Sequence, residues 1–209
     1  EMLITNAGGH YRFLEGSNPY SCGTVADEGW QVVHATLCDP APWREGFARI
    51  EGHLAAAGLG MQALCGIELR CSDAYTIEGV ASFNEGYHGL LDKLGLLIDG
   101  LNPVARTNVS PAYQPPSEQS LCGFSYVAEA EGCGDATFVV SGAGELRSAE
   151  VAGEAIVRRG ECSPEAMLEK AACVVDARSA RLKGLGCGWD AVSQVNVYTV
   201  HHVQNCVEE

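Results

Sequence analysis

The same order of elements occurs twice along the chain, and that repeat constrains the fold more than any other feature. In the first half, a strand-like run over residues 29–37 leads into a segment where Phe47, Ile50 and Leu54 recur at three- and four-residue spacing, the period that lines up one helix face. Gly58 can close that helix, and the strand-like ALCGIELR follows. In the second half, residues 136–146 lead to a helix with Ser163 as N-cap and Pro164 at its first position. Gly184 and Gly186 can end it, and residues 192–200 read as the next strand. Strand, glycine-ended helix and strand, repeated, point to a tandem duplication of one α+β unit. The expected boundary lies near Glu131: residues 1–131 form a complete domain and 132–209 a second, C-terminally shorter one. Only the first copy carries a second helix, marked by Val80, Phe83, Tyr87, Leu90 and Leu94, and a further strand opening at GLNPVARTNV.

Charge narrows the choice of partner. Lys plus Arg total 13 against 27 Asp plus Glu, a formal net charge of −14, and such a surface repels phosphate backbones. Nucleic acid is therefore not expected as a partner. A membrane is not expected either, since no apolar run reaches the roughly 18 residues of a spanning helix, and the start lacks the pattern of a secretion signal, so the chain reads as cytoplasmic. A small anion remains, provided that a local cation receives it. Arg106, set among small and β-branched residues in NPVARTNVSP, is the candidate. The ten cysteines show no C-x-x-C pair and read as reduced core thiols. His201 and His202 are adjacent, so in a strand they face opposite ways and make a poor metal chelate. With no phosphate-cradling glycine loop either, neither metal nor cofactor is expected.

Three motifs in a shared order carry a resemblance. GSNPYSCG near the start, FNEGY on the second helix and NPVARTNV on the next strand resemble the corresponding elements of the RidA (YjgF) superfamily. The resemblance covers residues 16 to about 128, and residues 136–203 resemble a second copy of that family's N-terminal two thirds. It implies a chorismate-mutase-like mixed sheet with two helices on one face, here duplicated, and homotrimers with clefts between subunits. It also implies cofactor-independent hydrolysis of an enamine or imine, a 2-amino-2-enoate or 2-imino acid such as a 2-aminomuconate-type compound, to a 2-oxo acid and ammonia. By the same resemblance Arg106 grips the substrate carboxylate and Tyr20 lies at the cleft. The family's water-handling glutamate has no counterpart, because Ser125 falls near its position. Glu118 and Glu145 are the substitutes, Glu145 the better placed. Two other readings stay open: a non-catalytic protein that binds small carboxylates, and a chorismate-hydrolysing relative.

The residue chemistry agrees with an anion site. A planar guanidinium can hold a carboxylate by two parallel hydrogen bonds. Asn108, two residues beyond Arg106, shares its strand face and can reach the same ligand. The expected site thus joins Arg106 and Glu145 as catalytic residues to Tyr20, Asn108 and Ser125 as substrate contacts. Arg70 and Arg147 could serve the second carboxylate of a dicarboxylate. Asn84 and Tyr87 lie on one helix face, with Tyr87 expected to pack.

Overall fold

The computed structural model describes residues 2–16, 21–73, 76–132, 134–147 and 155–203. The chain divides into two compact units, Glu1–Gly142 and Ala143–Glu209.

The first unit is a mixed sheet with two helices. Its elements are β1 (Leu3–Asn6), β2 (Tyr11–Glu15), β3 (Ser21–Ala26), β4 (Trp30–Pro42), α1 (Trp43–Ala56), β5 (Leu64–Arg70), α2 (Ile77–Lys93), β6 (Ala105–Val109), β7 (Ser120–Glu129) and β8 (Phe138–Val140). The strands run in the order β1-β2-β3-β6-β5-β7-β4, with β8 also paired to β3. β6 is parallel to β5 and to β3, and α2 supplies the crossover that the parallel β5–β6 neighbours require. Thr76 caps α2 by accepting a hydrogen bond from the Gly79 amide at 3.1 Å.

Apolar periodicity decides which face the helices cover. Phe47, Ile50 and Leu54 of α1 join Tyr87 and Leu91 of α2 in one cluster with Ile67, Leu69, Leu121 and Phe124 of the sheet. The alternate positions of β5 and β7 face the other way, where Cys65 and Val127 join Tyr11 and Phe13 of β2 in a second cluster. On that side the Tyr11 hydroxyl donates to the Leu64 carbonyl at 2.7 Å, and Trp30 stacks on His10 with ring centroids 3.6 Å apart.

The second unit is built on α3 (Pro164–Gly184), capped by Ser163, whose hydroxyl accepts from the Ala166 amide at 3.2 Å. Few apolar side chains are covered there. Among its described residues, Val157, Ala166, Leu182 and Leu185 are the buried ones.

The helices expected around Phe47, Tyr87 and Ser163 all form, and the chain is of the α+β class with a mixed sheet and three α-helices. The differences lie in the strands. The hairpin of β1 and β2 was not read from the sequence, and β4 runs on to Pro42 rather than stopping at 37. The strand expected over 136–146 is confined to Phe138–Val140 and joins the first unit, because β3 pairs with β6 only at Ser21↔Ala105 and has Gly23–Val25 left to pair with β8. The division between compact units accordingly falls after Gly142. Residues 192–200 form no ladder, and Val195, Val197 and Val200 stand more than half exposed. Among the described residues no helix is long and apolar enough to cross a membrane. None of the eight described cysteines is in a disulfide, while Cys133 and Cys206 lie outside the described residues.

Candidate functional site

Arg106 sits opposite Ile67 in the β5–β6 ladder and so points to the helix-covered face. It is only 5 % exposed. Leaving a buried cation uncompensated would cost several kcal/mol, and α2 supplies the compensation. One guanidinium nitrogen, Nη2, donates to Asn84 Oδ1 at 2.6 Å. The guanidinium carbon lies 4.6 Å from the Tyr87 ring centroid and 5.2 Å from that of Phe83, within cation–π range. Three residues of FNEGY thus hold the arginine, since Phe83 and Tyr87 are one turn apart with Asn84 between them. Burial pushes the Tyr87 hydroxyl up to about 12 despite the opposing Arg106 charge, so the ring stays neutral beneath the cation. Asn108 is exposed two residues further along the same strand face.

The helix-free face carries a second polar group. Ser125 of β7 pairs with His34 of β4 and with Gly66 of β5, and Glu68 pairs with Gly123. The His34 Nδ1 lies 3.2 Å from Ser125 Oγ, and its Nε2 lies 3.9 Å from Glu68 Oε1. Arg70 Nη2 follows at 3.8 Å from Glu68 Oε2. Two glycines let these side chains lie flat on the sheet. A Cβ on Gly123 would stand 3.3 Å from His34 Cε1 and 3.5 Å from Glu68 Oε2, and one on Gly66 would stand 3.2 Å from Ser125 Cβ. Ser125 is buried, whereas the His34 side chain is 46 % exposed, so the row opens to solvent at the imidazole.

The residues expected at the site are therefore distributed. Arg106 and Asn108 share one sheet face, and Ser125 lies on the other. Arg70 is also on the face opposite Arg106. Glu145 belongs to the second unit, where Lys170 Nζ donates to its carboxylate at 3.1 Å. Partial burial pushes that carboxyl up, but its backbone hydrogen bond, Lys170 and His201 outweigh this and hold it below its usual range. Arg147 is in the second unit too, beside Glu169, Cys173 and Asp176 in a groove of about 470 Å³. Glu118 is exposed before β7, and Tyr20 lies outside the described residues. Sequence reasoning missed His34 and Glu68. The available signal was a polar residue flanked by apolar ones in a strand, His34 between Val33 and Ala35 and Glu68 between Ile67 and Leu69. Among the described residues no group of three or more His, Cys, Asp or Glu side chains could hold a metal ion.

Known proteins match the chain over nearly its whole length. Residues 3–209 match the family described as 2-aminomuconate deaminase CnbZ. The chain is also 36 % identical over 210 residues to the 2-amino-5-chloromuconate deaminase of Comamonas testosteroni, an alignment covering 99 % of this chain and 83 % of that relative. No solved structure matches the chain.

Proposed function

The chain belongs to the 2-aminomuconate deaminase CnbZ family, and from that membership we propose that it releases ammonia hydrolytically from an enamine of the 2-aminomuconate type. The observation that carries this reading is the span of the family match, residues 3–209, which takes in both compact units.

The chemistry asks little of the protein. Protonation of the enamine on carbon gives an imine, water adds to the imine carbon, and loss of ammonia leaves the 2-oxo acid. What an enzyme adds is orientation of the substrate and a group that moves protons. Arg106 is proposed for orientation: Asn84 and two aromatic rings hold its guanidinium in place, which favours a two-pronged grip on one carboxylate. Asn108, exposed on the same face, is placed to add a hydrogen bond. The RidA resemblance extends the proposal to a chorismate-mutase-like architecture and to trimers with the substrate in clefts between copies. The mixed sheet with α1 and α2 on one face is in keeping with it.

The test is ammonia release from 2-aminomuconate generated in situ. Wild type is expected to outpace buffer by orders of magnitude. Arg106→Ala is expected to lower kcat/KM by about 2 to 4 kcal/mol in transition-state terms, and Arg106→Lys to recover little, because charge without the planar fork does not restore the geometry. A wild type no faster than buffer that still binds 2-oxo acids would replace the enzyme with a carboxylate-binding protein.

A further inference from the structure

Water that attacks an imine needs a base, and Ser125, standing near the position of the resembled family's glutamate, offers only a hydroxyl. An imidazole lies directly against that hydroxyl. We propose that His34 is the proton-transfer residue that activates the attacking water, with Ser125 and Glu68 as the residues that position it. The proposal rests on the deamination reading and adds to it the group that handles protons.

Geometry assigns the roles. With Ser125 Oγ accepting the Nδ1–H of His34 across 3.2 Å, Nε2 keeps its lone pair and faces the Glu68 carboxylate, 3.9 Å away. That gap is too long for a direct hydrogen bond. It does suit one water shared by both acceptors, since two bonds of about 2.8 Å meeting near a right angle span it. Arg70, 3.8 Å from the other carboxylate oxygen, holds Glu68 on its far side. Gly123 leaves room for the imidazole: a Cβ there would stand 3.2 Å from the Ala35 carbonyl and 3.3 Å from His34 Cε1.

The step balances without a co-reactant. As the water oxygen forms its bond to the carbon of the protonated imine, one water proton passes to His34 Nε2, giving the neutral carbinolamine. The imidazolium returns that proton to the amino nitrogen, the C–N bond breaks as ammonia leaves with the bonding pair, and the freed imidazole takes the hydroxyl proton to leave the carbonyl. His34 lies on the sheet face opposite Arg106, so one substrate meets both only between copies of the chain, as in the assembly proposed above.

Steady-state kinetics on 2-aminomuconate generated in situ test the assignment. His34→Gln should lower kcat by about 10²- to 10⁴-fold with KM changed by less than about threefold. Ser125→Ala and Glu68→Gln should fall in kcat while still binding a 2-oxo dicarboxylate, and they carry the test if the His34 variants fail to fold. Added imidazole should restore turnover to His34→Ala and leave Arg106→Ala unchanged. Glu145→Gln, the competing carboxylate of the sequence reading, is measured beside them. If wild type deaminates and the His34 variants keep its kcat, or if only Glu145→Gln loses it, the proposal is overturned and the deamination reading stands. A wild type no faster than buffer overturns both.

Discussion

The two compact units carry similar sequence patterns and end in different physical states. Strand–helix–strand order is legible in each, yet the first unit lays two helices on a mixed sheet and the second has one helix with few covered apolar side chains. The contrast between β4 and residues 192–200 shows why. Both alternate apolar and polar residues, but β4 has β7 along most of its length whereas 192–200 has no ladder. Alternation describes a surface that fits a sheet; a neighbouring backbone makes it a strand.

Thiol chemistry should separate the units most widely. Burial pushes Cys65 of the first unit up to about 12, which at mildly alkaline pH leaves roughly a thousandfold less thiolate than an ordinary cysteine has. Cys162 of the second unit is exposed. In a time course with an aromatic disulfide reagent, Cys162 and the exposed Cys38 of β4 should label early and Cys65 only on unfolding; equal rates would mean that the first core opens readily.

Core substitutions sharpen the contrast in stability. Leu91 is fully buried, and Leu91→Ala should cost about 2 to 5 kcal/mol in denaturant unfolding. Val197 is 59 % exposed, so Val197→Ser should stay within about 0.5 kcal/mol. A large loss at Val197 would show that the segment is covered in the assembled protein. Between these lies Ser163→Ala, which removes the cap of α3 and should cost about 1 kcal/mol, read as a loss of helical signal that a first-unit variant does not produce.

The smallest effect is electrostatic. Partial burial opposes ionisation of Glu145, but its backbone hydrogen bond and Lys170 prevail, and its folded pKa is depressed. A depressed carboxyl pKa stabilises above the unfolded value, and that increment is lost as pH falls through the folded one. Wild type should therefore lose stability on acidification through the carboxylate range slightly faster than Glu145→Gln; identical acid profiles would show that the Lys170 contact contributes nothing.

Local physics made part of this molecule readable. Phe47, Ile50 and Leu54, the cap at Ser163, and the apolar stripe of α2 follow from helical period and hydrogen-bonding groups within one turn. Arg106 stood out because a lone cation among small and β-branched residues of an acidic chain is conspicuous in sequence alone. Its partners were legible only as a helix face, not as the surface over β6. His34, Glu68 and Ser125 were not legible as a group, since each is one alternate position in its own strand. Register across β4, β7 and β5 brings residues 34, 125 and 68 together, and register is set by long-range pairing, in which a one-residue slip would send every side chain to the other face. The sequence by itself determined the helices, the acidic surface and the arginine; the tertiary ladder alone decided that β8 joins the first unit, that 192–200 forms no ladder, and that an imidazole meets a serine and a carboxylate.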